Sequence, residues 1–78
     1  MTNPVSYRKF EAITPHDSNS YVAADAVYVG TTGTLTIVGE DGVAVSFGSP
    51  PAGTTIYVRN IRVNATGTSA TNLVRIYV

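Results

Sequence analysis

Short apolar–polar alternations, separated by dense turn signals, run along the chain. Phe10 and Ala12, with Ile13 beyond, alternate with Lys9 and Glu11 and predict a first strand. Residues 1–8 before it read as an arm broken by Pro4, and residues 9–78 as a single β domain. Thr14-Pro15-His16-Asp17-Ser18-Asn19-Ser20 is a turn signal, because Pro fixes φ and Asp, Asn and Ser bond their own backbone. Tyr21 to Asp25 has no clear period; a cap at Asn19 or Ser20 would allow one helical turn through Ala23 and Ala24. Ala26–Val29 reads as a second strand, and Gly30-Thr31-Thr32-Gly33 as a hairpin loop leading into Thr34–Val38. Gly39-Glu40-Asp41-Gly42 carries the Asp-Gly pair of a tight hairpin. After it, Val43, Val45 and Phe47 point one way and Ala44 and Ser46 the other. Gly48 to Gly53, with Pro50 and Pro51, is a corner that no sheet interior holds.

Thr54 to Ala65 carries the most geometric information. Ile56 and Val58 are apolar at even positions, whereas Ile61, Val63 and Ala65 are apolar at odd ones. A strand has period two, so its apolar set changes face at Arg59-Asn60-Ile61. Either a β-bulge restores the pattern there or the strand bends from one sheet into a second. Thr66 to Ala70 is a turn, and Leu73–Val78, apolar on both faces, reads as a central or docked strand. Six or seven short strands at spacings of about eight to twelve residues predict an all-β fold, a small antiparallel β-sandwich or barrel of jelly-roll-like kind.

Composition sharpens this picture. Eleven Val, eleven Thr and five Ile stand against two Leu and one Met, and β-branched side chains suit a pleated surface. A chain of 78 residues has a marginal core, and without Cys it has no disulfide or thiolate metal site to reinforce it. An unusually regular fold or self-association remains as a source of stability. Five basic and five acidic residues cancel, which argues against a nucleic-acid binder driven by counterion release and permits close crowding of copies. No apolar run reaches the length of a membrane helix, and Met1–Phe10 lacks the apolar core of a signal peptide.

Candidate chemistry is thin. His16-Asp17-Ser18 has the residue types of a hydrolytic triad, but neighbours in one turn do not form a nucleophile–base–orienter relay. Glu40 and Asp41 share a hairpin tip, where solvent keeps both ionised. Asp25 is a candidate cap or a partner for Arg59, Arg62 or Arg75. Those three arginines with Tyr57 and Tyr77 make a weak single-strand-binding pattern. Asn64-Ala65-Thr66 matches a glycosylation sequon without an export signal. The tyrosines read better as interface anchors with one apolar and one wet end. No catalytic residue, cofactor or metal ligand is expected.

From Ile13 onward an ordered set of segments stands out. It comprises Ile13-Thr14-Pro15 with Asp17, Asp25 to Gly30 with Gly33, Leu35-Thr36-Ile37, Val43 to Phe47, Pro51-Ala52-Gly53-Thr54, Val58 to Thr68 and Leu73-Val74. This set resembles the head spike base proteins of tailed bacteriophages and of the related gene transfer agents. The resemblance covers about 65 of the 78 residues and rests on the order of segments rather than on any single motif. The chain departs from that pattern in its short arm, in Pro50 ahead of Pro51 and in His16 within the Thr-Pro turn.

The resemblance implies a non-enzymatic virion protein, made in the host cytoplasm and placed on the outer capsid surface at the fivefold vertices. It implies a homo-oligomer, a pentamer ahead of a trimer, with the major capsid protein beneath and a spike or fibre protein above, and neither nucleic acid nor membrane as partner. The candidate oligomer or capsid contacts are Val5, Tyr7, Phe10, Tyr57, Arg59 and Tyr77. Residues 1–10 are expected to clamp a neighbour, as a stretch without a partner strand of its own. The alternatives are a capsid cement or decoration protein between capsomers, and a carbohydrate- or host-surface-binding sandwich using Tyr57, Tyr77 and Asn60.

Overall fold

In the computed structural model, which describes residues 7–78, the chain forms seven strands in two antiparallel sheets. They are β1 (Lys9–Ala12), β2 (Ala26–Thr31), β3 (Leu35–Gly39), β4 (Ala44–Phe47), β5 (Thr54–Ile56), β6 (Asn60–Val63) and β7 (Thr71–Tyr77). One sheet runs β1-β7-β2-β5 and the other β4-β3-β6. The expected all-β sandwich is what the chain builds, with β7 central as its two-sided apolar pattern requires. Val27, Val29, Leu35, Ile37, Val63 and Leu73 pack between the sheets, with Ile13, Ala70, Phe47, Ile56 and Val58 around them.

The order is jelly-roll-like, with an irregular segment where an eighth strand would flank β6. The backbone N–H of His16 donates to Val63 (2.9 Å) and that of Tyr21 to Ile61 (2.9 Å), and Ala24 and Asn60 exchange a pair of bonds (2.8 and 3.0 Å). Residues 16–24 therefore close an edge that would otherwise present unpaired groups. No helical turn forms at Tyr21–Asp25: the Tyr21 and Ala24 N–H groups and the Ala24 carbonyl are spent on β6, and the Asp25 N–H on Ile76 of β7.

The face change near Asn60 has two physical causes, and both alternatives hold. The chain leaves the four-stranded sheet after Ile56 and enters the three-stranded one at Asn60. The β3–β6 register then steps from Val38↔Arg62 to Gly39↔Asn60, leaving Ile61 as an extra, bulged residue. Asn60 itself is fully buried. Its side-chain carbonyl accepts the Tyr21 hydroxyl, and its amide donates to the Val58 carbonyl at 2.8 Å.

Gly30-Thr31-Thr32-Gly33 is not a hairpin. β2 and β3 lie in different sheets, so this segment is a crossover. Its glycines serve close packing: a Cβ on Gly30 would lie 2.5 Å from the Asn72 carbonyl oxygen, and one on Gly33 would lie 2.6 Å from the Ala70 nitrogen. Asn72 sits at φ 55°, a left-handed conformation that Asn tolerates. The Gly39–Gly42 hairpin forms as expected, with Gly42 at φ 85° and the Asp41 carboxylate accepting the Val43 N–H.

Asn60→Ala should leave the Val58 carbonyl and Tyr21 hydroxyl without their partner and lower unfolding free energy by about 2–4 kcal/mol. Tyr21→Phe removes one bond and should cost about 1 kcal/mol. Urea denaturation with an unchanged m-value is the measurement for both.

Candidate functional site

Pairing register fixes which side chains share a face. On the core side of the four-stranded sheet, Val27 pairs with Arg75 and Arg75 with Glu11, while Lys9 pairs with Tyr77. A charged row thus points inward, at the end of the sandwich where the irregular 14–24 segment replaces a strand. Arg75 and Lys9 both bind Glu11, the latter at 3.0 Å. These bonds, Lys9's first and then Arg75's, hold the Glu11 carboxyl below its ordinary pKa. The Arg75 guanidinium stacks 4.4 Å from the Tyr21 ring centroid, and its Nε is buried without a hydrogen-bond partner among the described residues. Burial pushes the Tyr21 phenol up to about 12. With Arg8, Val22 and Val78 these groups line an open cleft of about 720 Å³.

The outer side of the same sheet has the opposite character. Phe10, Ile76 and Ala26 form one row, and Ala12, Val74, Tyr28 and Thr55 the next. Neither row carries a charge; Phe10 stands out at 63% exposure, whereas Ile76 and Ala26 beside it are buried. A second apolar area lies at the opposite flank. Register puts Val45 and Phe47 on the core side of β4 beside Leu35 and Ile37. β5, however, is only three residues long and does not reach over them. Val43 and Val45 therefore remain 56% and 51% exposed, and with Ile37, Phe47 and Val58 they line a slot of about 210 Å³. Ala44–Phe47 is also an edge strand with no charge or proline to block pairing.

The candidate contact residues do not form a single patch. Val5 lies outside the described residues. The Tyr7 ring packs against Tyr57, with centroids 6.4 Å apart. Arg59 is committed to Glu40 and Asp25. Tyr77 lines the inner cleft, its hydroxyl donating to the Val22 carbonyl. Phe10 lies on the outer face, on a strand paired with β7, so the expectation that residues 1–10 lack a partner strand fails from Lys9 onward. Asn60 is internal and does not join Tyr57 and Tyr77 as a sugar-binding trio. The outer rows and the β4 slot escaped the sequence reading, because both depend on register and on how far β5 extends.

The remaining candidate groups have structural work. His16 Nδ1 accepts the N–H groups of Ser18 and Asn19, while Asp17 turns away to the Thr66 N–H and hydroxyl, both at 2.8 Å. The three residues therefore make no relay. Arg62 holds Asn64 and Ser20. The three arginines lie in separate networks rather than along one strip. Among the described residues, no group of three or more His, Cys, Asp or Glu is placed to hold a metal ion.

No family model and no curated protein matches the chain. A solved structure does: a chain from the capsid of a native gene transfer agent particle, computed with C5 symmetry, is 38% identical. The match covers 91% of this chain and 83% of that one, with a TM-score of 0.80. The chain belongs to this phage-like, capsid-associated family.

Asp17 ties the 14–24 segment to the turn after β6, and the Thr66 N–H, then the Thr66 hydroxyl, hold its carboxyl below the ordinary value. The folded pKa is the lower one, so this stabilisation is complete above the unfolded value of roughly 4 and is lost as pH falls through the folded value. Asp17→Asn should be less stable than the parent at pH 7. The gap should narrow between about pH 5 and pH 2 in urea denaturation series.

Proposed function

We propose that this chain is a structural virion protein: a ring-forming base on the outer capsid surface, seated at the vertices and carrying a spike or fibre. The observation that carries the reading is the 38% identity and TM-score of 0.80 to a chain of a capsid with fivefold symmetry. The molecule's surface supports it. Several large apolar side chains, among them Phe10, Val22, Val43, Val45 and Tyr57, are exposed, and its chemistry-bearing side chains are tied into structural networks. In this reading it performs no catalysis. Its lower contacts are to the major capsid protein and its upper ones to a spike or fibre protein. Five copies close the ring, and each gains stability from its neighbours.

Purified particles should contain the chain by mass spectrometry, and a map averaged with fivefold symmetry should show it as a ring at each vertex. Density between capsomers away from the vertices would replace this reading with a cement protein. Absence from particles together with glycan binding in direct titration would replace it with a carbohydrate-binding module.

A further inference from the structure

The cleft at the uncovered end of the larger sheet concentrates positive charge. Three of the chain's five basic side chains line it, Arg8, Lys9 and Arg75, against one of its five acidic ones, Glu11. Its side chains therefore carry a formal charge of +2 in a chain whose formal charge is zero. The terminal carboxylate of Val78, at the cleft wall, pairs with none of them among the described residues, and counting it leaves the excess positive. Arg59 and Arg62 lie outside, held by Glu40 and Asp25 and by Asn64 and Ser20. Asp25 reaches the Val78 N–H at 2.8 Å but is engaged by Arg59. Keeping an open end wet requires polar groups, not an excess of one sign. The free part of that excess sits at the mouth. Arg75 is bound to Glu11, stacked on Tyr21 and only 20% exposed, whereas the Lys9 side chain is 60% exposed. Arg8 is exposed and in no ion pair among the described residues.

We propose that this cleft takes an acidic segment of a partner protein, with its carboxylates against Arg8 and Lys9 and an apolar side chain against Tyr21, Tyr77, Val22 and Val78. The walls present both kinds of contact side by side. Lys9 lies 5.3 Å from the Tyr77 ring centroid and Arg75 lies 4.4 Å from that of Tyr21. The cleft's volume of about 720 Å³ falls within the roughly 300–1,000 Å³ of ligand-binding clefts. Access suits a peptide better than a lone anion. β1 is an edge strand, and no strand flanks its outer side among the described residues, so an extended segment can enter there and bond to the main chain. A nucleic-acid backbone calls for a stripe of cations, and Arg59 and Arg62, tied into other networks, do not prolong the cleft into one. The proposal goes beyond the ring-base reading: it names the chemistry of one contact and holds whether or not copies close a ring.

The test is an NMR titration of the isotope-labelled full chain with the capped pentapeptide Glu-Glu-Leu-Glu-Glu at low salt. Saturable amide shifts should cluster at Arg8, Lys9, Glu11, Tyr21 and Tyr77, and Gln-Gln-Leu-Gln-Gln should produce none. Arg8→Gln combined with Lys9→Gln, two exposed positions, should weaken binding about tenfold. Ser49→Glu also makes the chain more negative, but it lies in the corner before β5, the opposite edge of the sheet, and should change affinity by less than about twofold. High salt should abolish binding to the parent chain, a measurement that needs no variant. The proposal is wrong if the acidic peptide does not bind at millimolar concentration, if the shifts fall elsewhere, if binding survives high salt, or if the double variant binds as the parent does. It is equally wrong if inorganic phosphate, or an oligothymidylate of the same charge, competes as well as the peptide itself. Vertex rings in particle maps without peptide binding would overturn this site and leave the ring-base reading standing. Peptide binding by a chain absent from particles would do the reverse.

Discussion

The closure of the β6 edge is the constraint on which the rest of the molecule depends. One strand position of the sandwich is given over to the loop spanning residues 14–24. That loop holds because its backbone bonds to β6 and because Asn60, buried beneath it, bonds outward to Tyr21 and along the chain to Val58. Asn60 stands where the chain passes from one sheet to the other. One buried amide therefore fixes the sheet switch and the loop that covers it. Its burial is tolerable only because the side chain is satisfied on both ends.

The missing strand also accounts for the charged row at one end of the larger sheet's inner face. Where the smaller sheet fails to cover it, the inward-facing positions see water, and they carry Lys9, Glu11 and Arg75 in place of aliphatic side chains. The ion pairs are partly exposed and contribute modestly to stability. Their effect is to keep the open end polar, with Tyr21 and Tyr77 as lining. The same inner face carries Val27, Val29 and Leu73 further along, where the smaller sheet does cover it.

Much of the fold was legible because turn chemistry marks nearly every boundary. The Asp-Gly hairpin, the Pro50-Pro51 corner and the two-sided apolar pattern of the last strand all kept their expected meaning. The phase change at Asn60 pointed to the sheet switch because a period of two permits no other reading than a slip or a bend. Gly30-Thr31-Thr32-Gly33 misled because a loop's composition reports tight backbone geometry, not which sheet its flanking strands join. The glycines are required by the close approach of Asn72 and Ala70, residues some 40 positions distant in sequence, and no local pattern encodes that contact. Tyr21–Asp25 misled for the same reason: its hydrogen-bonding partners lie on β6 and β7. The candidate surfaces were half legible. Phe10 could be singled out as an exposed aromatic, but the rows around it appear only once β1, β7 and β2 are in register, and the β4 slot only once β5 is seen to stop at Ile56.

A core this small and a surface this apolar belong to the same solution. Hydrophobic stabilisation scales with area removed from water, and a short chain removes little by folding alone. Moving apolar side chains such as Phe10, Val43 and Val45 to the surface lowers the stability available to one copy. It becomes available again when neighbours cover those residues, so folding and assembly draw on the same apolar side chains. In the proposed ring every copy has a neighbour on both sides, which an open chain denies to its end copies. The neutral charge balance removes the repulsion that would oppose bringing copies together. Shortness and exposed apolar side chains are thus both compatible with the proposed ring, in which a copy held by its neighbours is more stable than an isolated one.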